Sequence, residues 1–223
     1  MSTFCLIHGA WHEPSCWDEL TPRLMERGHR VVVPDLPLQE PAAGFDDRIA
    51  PALRAIEGID DALVIVGHSQ GTSYSSLVAA ANADAVLVHL CPRLGGFEPP
   101  GAPDPFREGI PWPDARADGA TAWDGDTAMS FMYRRVPEPR ASMLAGRLRP
   151  MAMPRDDYPL DGPPANRIVL IYAAEDEFFQ PGFERFMAQD VFGVEPIEIP
   201  GGHFPMAEDP AALAELLDRV APD

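Results

Sequence analysis

The chain has 223 residues, of which 46% are apolar, and a formal net charge of −18 at pH 7. This length favours a single domain with a sizeable core. The acidic balance argues against nucleic acid and anionic membranes as partners, because affinity for both depends on Lys and Arg that neutralise phosphate. No apolar run approaches the ~20 residues that a membrane-spanning helix needs.

The N-terminus and the cysteines predict a cytoplasmic protein. The chain enters a short apolar run, Phe4 to Ile7, without the basic lead and longer apolar core of a secretory signal. Its three cysteines are an odd number, and Cys5 and Cys91 lie in apolar, strand-like runs. This pattern is typical of buried, reduced thiols rather than of a disulfide framework.

Strands and helices alternate through the first ninety residues. The predicted strands are Thr3 to His8, Arg30 to Val33, Ala62 to Val66 and Ala85 to Leu90. The helices are predicted from apolar residues at helical spacing, which are Trp17, Leu20 and Leu24, then Ile49, Leu53 and Ile56, and then the stretch Thr72 to Asn82. Ser15 is placed to cap the first helix, and Gly28 to end it. Apolar strands in strict alternation with helices indicate a parallel sheet covered on both faces.

The pentapeptide Gly67-His68-Ser69-Gln70-Gly71 joins the third strand to the third helix. A serine on such a sharp turn is the nucleophile elbow of an α/β-hydrolase. Glycine two residues before and after it supplies room, because glycine lacks the Cβ that would clash with the neighbouring strand and helix. The helix N-terminus also favours the negative charge that develops on an oxyanion.

The alternation stops between Pro92 and Pro164, a stretch that holds 14 of the 26 prolines. Two short helices are predicted there, Asp126 to Val136 and Arg140 to Leu148, and no strand. Interleaved aromatic and methionine residues favour packing over disorder. Hydrolases of this fold carry a cap or lid at such a position. Residues 1–223 are therefore predicted as one α/β-hydrolase domain with a helical cap insertion at about 92–164.

The last third of the chain returns to the alternating pattern. It predicts a strand from Arg167 to Ala173, a helix from Phe183 to Asp190 and a strand from Glu195 to Ile199. Asp209 and Pro210 then stand in the favoured order of cap and first position of a final helix.

Ser69 needs a base, because its hydroxyl must lose a proton as it attacks. Of the six histidines, His203 is the best candidate, since it follows two glycines between the last strand and the last helix. The base in turn needs an acceptor that holds its tautomer. Glu175, Asp176 and Glu177 end the fifth strand, and spacing alone leaves all three open.

The loop after the first strand, His8-Gly9-Ala10-Trp11, completes the predicted site. Its backbone meets the residue behind the nucleophile, so the N–H groups of Ala10 and Gln70 are predicted to form the oxyanion hole. Each such donor contributes ~2.7–4 kcal/mol to transition-state stabilisation. Trp11 is predicted to line the substrate pocket. No metal or cofactor is expected.

Together, these motifs resemble the plant methylesterase and hydroxynitrile lyase family and its bacterial esterase relatives. The residues that carry the resemblance are His8-Gly9-Ala10-Trp11, Gly67-His68-Ser69-Gln70-Gly71, Glu175-Asp176-Glu177-Phe178-Phe179-Gln180-Pro181 and Gly201-Gly202-His203. The resemblance implies that Asp176 is the triad acid, because the family acid takes the second position of that acidic cluster. It also implies a six-stranded parallel sheet without the usual first two antiparallel strands.

Two departures from the family pattern argue against a lyase. Family lyases carry a lysine directly after the histidine, where this chain has Phe204, and a threonine where it has Ala10. Phe204 is also predicted to contact substrate.

The sequence thus predicts a cofactor-free serine hydrolase that cleaves a carboxylic ester of a small, fairly apolar molecule through an acyl-enzyme. Thioesters and lactones would use the same groups. Two alternatives stay open: a small-molecule-binding protein with little turnover, and a hydroxynitrile lyase. The sequence does not indicate whether the protein is a monomer or an oligomer.

Overall fold

Six parallel strands form the central sheet of the computed structural model, which describes residues 1–93, 101–180 and 182–222. The strands in these residues are β1 (Ser2–Ile7), β2 (Arg30–Val32), β3 (Ala62–His68), β4 (Val86–Leu90), β5 (Asp114–Ala115), β6 (Thr121–Ala122), β7 (Arg167–Ala173) and β8 (Ile197–Ile199). The sheet order is β2-β1-β3-β4-β7-β8, and β5 and β6 form a separate pair. The predicted six-stranded parallel sheet is confirmed.

Helices cover both faces of this sheet, as predicted. They are α1 (Leu20–Glu26), α2 (Phe45–Ile56), α3 (Gly71–Ala80), α4 (Gly125–Ser130), α5 (Arg140–Ala145), α6 (Phe183–Phe186), α7 (Pro205–Glu208) and α8 (Pro210–Val220). Alternate residues of β1 point to opposite faces. Leu6 therefore packs with Leu24 of α1 and Leu217 of α8, whereas Ile7 packs with Ile49 of α2. No helix in the described residues is long and apolar enough to cross a membrane.

The strand register brings the loops of the site to one edge. Ile7 at the end of β1 pairs with Gly67, and His68 at the end of β3 pairs with Leu90. In an open parallel sheet the carboxyl ends of the strands form one edge, where ligands bind. The loops that follow β1, β3, β4, β7 and β8 therefore leave from the same edge.

The start of the first helix differs from the prediction. Ser15 lies inside a short 3-10 turn, Pro14–Trp17, and its hydroxyl donates to the Glu13 carboxylate at 2.5 Å. The α-helix begins only at Leu20. Proline at the first position of the turn starts it early. Ser15 therefore lies within the turn, and Glu19 stands at the N-cap of the α-helix instead. Gly28 does follow the helix end, with φ +87°.

The β4–β7 segment, residues 91–166, contains strands that the sequence analysis did not predict. The β5–β6 pair is antiparallel, and Thr121 also pairs with Met151 through two backbone hydrogen bonds of 2.8 Å. Strands of two residues are too short to show an alternating pattern. The start of the predicted insertion, residues 94–100, lies outside the described residues.

The same segment packs onto the sheet domain with shorter helices than predicted. Trp123, Tyr133 and Leu144 are buried in the cluster that contains β1 and β4 side chains. The predicted helix from Asp126 to Val136 ends at Ser130, after which the chain turns.

Candidate active site

Ser69 occupies a strained turn between β3 and α3. Its φ is +52°, in the left-handed region that non-glycine residues rarely adopt, at a cost of roughly 1–3 kcal/mol. The flanking glycines make the turn sterically possible. A Cβ on Gly67 would collide with the Ser75 hydroxyl, and a Cβ on Gly71 would lie 2.5 Å from the His8 carbonyl oxygen. The close approach of β1, β3 and α3 therefore requires glycine at both positions.

Backbone hydrogen bonds hold the nucleophile turn in place. The Ser69 N–H donates to the Leu90 carbonyl at 3.0 Å, and its own carbonyl accepts from the Arg93 N–H at 3.1 Å. The Thr72 hydroxyl donates to the same Ser69 carbonyl at 2.6 Å. The end of β4 thus fixes the strained conformation from outside the turn.

His203 and Asp176 form a buried pair beside this turn. The Nδ1 of His203 lies 2.7 Å from Oδ2 of Asp176, and both residues are at most 3% exposed. The other oxygen of Asp176 accepts the backbone N–H groups of Phe178 and Phe179 at 2.8 and 3.3 Å. A carboxylate only accepts, so Nδ1 carries the proton and Nε2 is left as the basic nitrogen. His203 and Ser69 line the same cavity.

The two acidic neighbours of Asp176 differ in their burial and in the groups that they contact. Glu175 is an exposed residue that pairs with Arg135 at 2.5 Å. Glu177 is only 6% exposed, and its carboxylate accepts the backbone N–H of His203 at 3.1 Å and pairs with Arg134 at 3.2 Å. Burial raises the pKa of Glu177 above its ordinary value.

Side chains alternate along a strand, which predicts that both neighbours of Asp176 point away from His203 and carry only screened surface charge. This prediction is wrong for Glu177, because the chain has already left the strand here and the Asp176 N–H turns back to the Ala173 carbonyl at 3.2 Å. The acidic cluster was visible in the sequence, but nothing in it showed which member faces the histidine loop.

A second carboxylate supports the same loop. Glu208 in α7 accepts the Gly202 N–H at 2.8 Å and the Phe204 N–H at 3.4 Å. A Cβ on Gly202 would lie 2.7 Å from the Glu177 carboxylate, so the loop passes tightly between the two acids. Arg135 reaches Glu208 at 3.4 Å. The β4–β7 segment is thereby linked to the loop that carries His203.

The predicted oxyanion donors lie next to the nucleophile. A Cβ on Gly9 would lie 3.1 Å from the Ser69 Cβ, which shows how closely the β1 loop passes the turn. Ala10 and Gln70 both line the cavity. Within the described residues, neither backbone N–H donates to a protein acceptor. Both groups are thus available to a ligand, which is what an oxyanion hole needs.

Two further histidines brace the site in neutral form. The Nε2 of His68 lies 2.7 Å from the His203 carbonyl oxygen, and burial holds the pKa of His68 well below its usual range. His12 donates from Nδ1 to the Ala10 carbonyl at 2.6 Å and accepts the Tyr133 hydroxyl at 2.5 Å. Burial lowers the pKa of His12 to about 4. Both imidazole rings are therefore uncharged at pH 7 and support the site through hydrogen bonds.

The cavity above Ser69 measures about 210 Å³. Trp11 and Phe204, the two predicted substrate contacts, both line it. Seven further lining side chains are aromatic residues or methionines, namely Phe106, Trp112, Met132, Met151, Met153, Phe178 and Phe179. Trp11 has φ +60°, and its indole N–H donates to the Thr121 hydroxyl at 2.9 Å. The β4–β7 segment therefore both fixes Trp11 and supplies part of the cavity wall.

One group of side chains has the spacing of metal ligands. Possible ligand atoms of Cys91, Asp176 and His203 lie within 4.8 Å of one another. Burial raises the pKa of the Cys91 thiol well above its ordinary value, so it is a neutral thiol and a poor ligand. Asp176 and His203 are already bonded to each other. This donor set fits an acid–histidine pair better than a metal site.

Comparison with curated proteins finds several relatives of the chain, including the following two. Methylesterase 9 of Arabidopsis thaliana is 35% identical over 88 residues, a match that spans 35% of this chain and only 34% of that protein. Norfluorocurarine synthase 1 of Strychnos nux-vomica is 24% identical over 98% of this chain and 94% of its own length.

Comparison with solved structures supports the same fold. A pyrethroid hydrolase from Sphingobium faniae superimposes with a TM-score of 0.75 at 22% identity, covering 98% of this chain and 96% of that one. The resemblance to plant methylesterases and bacterial esterases is confirmed. A sequence profile described as the alpha/beta hydrolase family matches residues 6–216. The chain belongs to that family.

Proposed function

We propose that the protein is a serine hydrolase that cleaves a carboxylic ester of a small, fairly apolar molecule, with Ser69, His203 and Asp176 as its catalytic triad. The observation that supports this proposal most directly is the buried 2.7 Å contact between Asp176 and His203. His203 lines the same cavity as the strained Ser69. The names of the relatives, a methylesterase and a pyrethroid hydrolase, support ester hydrolysis.

The reaction follows from the groups in place. Nε2 of His203 takes the proton of Ser69 as Oγ attacks the ester carbonyl carbon, and Asp176 stabilises the imidazolium. The backbone N–H groups of Ala10 and Gln70 hold the oxyanion, assisted by the N-terminus of α3. Collapse breaks the bond to the alcohol, which leaves with the proton from His203. Water, deprotonated by His203, then releases the acid and restores Ser69.

Residues 92–164 act as the cap of this enzyme and set the size of its substrate. The side chains of Phe106, Trp112, Met132 and Met151 support this role, because they reach the cavity from within the segment. The chemistry requires no metal or cofactor. We propose cytoplasmic action, in keeping with three buried free thiols.

A fluorophosphonate probe and short-chain nitrophenyl esters test the proposal together. The parent protein should be labelled once, at Ser69, and should hydrolyse the esters. Ser69→Ala should abolish both results, whereas Ser130→Ala, at an exposed serine of α4, should change neither. Labelling without turnover would favour the binding-protein alternative. Turnover that survives in Ser69→Ala would overturn the proposal.

A further inference from the structure

The charge of the cavity differs in sign from the charge of the protein. The chain has 35 Asp and Glu residues, yet none lines the cavity above Ser69. Among the described lining residues, Arg93 alone carries a permanent charge. In a largely apolar cavity, one such cation dominates the recognition of charged groups, because attraction between charges is stronger where water is largely excluded.

Hydrogen bonds hold the backbone of Arg93 beside the nucleophile. Its N–H donates to the Ser69 carbonyl at 3.1 Å, and its carbonyl oxygen lies 2.7 Å from the Thr72 hydroxyl, whose one proton it shares with the Ser69 carbonyl. Its guanidinium carbon lies 5.7 Å from the centroid of the Phe106 ring. A cation–π contact engages the charge of the guanidinium and not its N–H donors, which stay available for a ligand.

The guanidinium of Arg93 has no anionic partner among the described residues. Most of the other arginines pair with a carboxylate, as Arg134, Arg135 and Arg149 do. Arg93 makes no ion pair and no side-chain hydrogen bond within the described part of the chain. A cation in an apolar cavity is favourable only when an anion or water compensates it. Its planar donor fork matches a carboxylate in two parallel hydrogen bonds.

We propose that the cavity takes esters that carry a second, ionised carboxylate, as in the monoester of a short dicarboxylic acid, and that Arg93 binds this carboxylate. The inference rests on the proposed ester hydrolysis at Ser69 and narrows its substrate class. The ester carbonyl lies at Ser69, the methylene chain contacts the aromatic and methionine walls, and the free carboxylate meets Arg93. The cavity volume of about 210 Å³ limits the chain to a few carbons.

Two esters of equal length test the proposal. Monomethyl glutarate and methyl pentanoate differ only in a carboxylate that replaces a terminal methyl group. We expect the parent protein to prefer monomethyl glutarate by at least about tenfold in kcat/KM, and Arg93→Gln to lose about 10–100-fold on that ester alone. Arg93→Lys should keep part of the preference, since it keeps the charge without the fork.

Arg116→Gln is the matched control. Arg116 is an exposed residue of the same segment, pairs with Asp118 and does not line the cavity. The substitution removes one positive charge, as Arg93→Gln does, and should leave kcat/KM for both esters unchanged. Equal kcat/KM for the two esters in the parent, or equal losses on both in Arg93→Gln, would overturn the carboxylate site.

A binding measurement separates this proposal from the proposed function. Ser69→Ala protein is titrated with monomethyl glutarate while the fluorescence of the cavity tryptophans, Trp11 and Trp112, is followed. Saturable binding that disappears in the Ser69→Ala/Arg93→Gln protein supports the Arg93 site, even when no ester is hydrolysed. If both esters are hydrolysed but Arg93→Gln leaves this binding unchanged, the hydrolase proposal stands and the Arg93 site fails.

Discussion

The nucleophile turn and the histidine loop reach the same cavity, but different forces hold them. Glycines and backbone hydrogen bonds to the sheet shape the turn around Ser69. The loop around His203 depends on side-chain carboxylates, Glu177 and Glu208, which accept its backbone N–H groups. The turn is therefore sensitive to added volume, whereas the loop is sensitive to the loss of charge.

The largest expected effect is the loss of kcat when the catalytic side chain of either region is removed. Ser69→Ala and His203→Ala should each lower kcat by about 10⁶, and the double variant should be hardly worse than either, because the two residues act as a unit. Ester turnover by the four proteins gives the comparison. Losses that multiply in the double variant would mean that the two regions work independently.

The next effect concerns the acid of the histidine loop. Asp176→Asn keeps the shape of the side chain but permits the wrong imidazole tautomer, so kcat should fall by about 10⁴. Glu175→Gln, at the exposed neighbour, should stay within about tenfold because surface charge is screened. A larger loss of kcat in Glu175→Gln than in Asp176→Asn would mean that Glu175 is the triad acid.

Glu177→Gln should have an intermediate effect through the position of His203. The variant loses the ion pair with Arg134 and weakens the acceptor for the His203 N–H, and displacement of a base by about 1 Å costs on the order of 10²-fold in rate. We expect kcat to fall 10–100-fold with little change in KM. Glu175→Gln is again the control.

A merely structural role for Glu177 would move Tm without this split between kcat and KM. Glu177→Asp provides the rescue test, because it restores the charge and should recover part of kcat. If Glu177→Gln matches Glu175→Gln in kcat, the carboxylate does not position the base.

Added volume tests the nucleophile turn. A Cβ on Gly67 meets the Gly71 carbonyl and the Ser75 side chain, and such overpacking costs roughly 1–3 kcal/mol. Gly67→Ala should therefore lower Tm by several degrees, whereas Gly162→Ala, where a Cβ meets nothing within 4 Å, should not. An unchanged Tm in both variants would mean that the turn tolerates bulk.

The smallest expected effect is a pH dependence of the folding stability, which arises from the buried Glu184 near Asp176. Glu184 is 3% exposed, its Oε1 has no partner among the described residues, and burial raises its pKa to about 8. A raised folded pKa means that the native state binds more protons than the unfolded state. Stability from this group is therefore full below pH 4.5 and declines as the pH rises towards 8.

Glu184→Gln should remove that decline. Denaturant unfolding at pH 5 and pH 9 should show a gain of about 1–2 kcal/mol for the variant over the parent at the higher pH only. A gain of equal size at both pH values would assign the effect to packing instead of to ionisation.

The sequence by itself determined the parts that neighbouring residues specify. The six strands followed from local apolar patterns, and the strained turn at Ser69 followed from glycines two residues away on either side. This turn occurs as a short motif of fixed spacing, so the sequence predicts it, although the His8 carbonyl that excludes a Cβ at Gly71 belongs to another strand-and-loop segment. The choice of Asp176 from three acids already required a resemblance to a family.

Tertiary structure alone decided which side chains support the site. Glu177 meets His203 across 26 positions, and Arg134 meets Glu177 across 43. Likewise, the position of Arg93 over Phe106 and the pairing of Thr121 with Met151 depend on how a proline-rich segment folds back over the sheet. Such contacts leave no periodic signal, because they depend on where loops meet in space and not on the order of residues within one element.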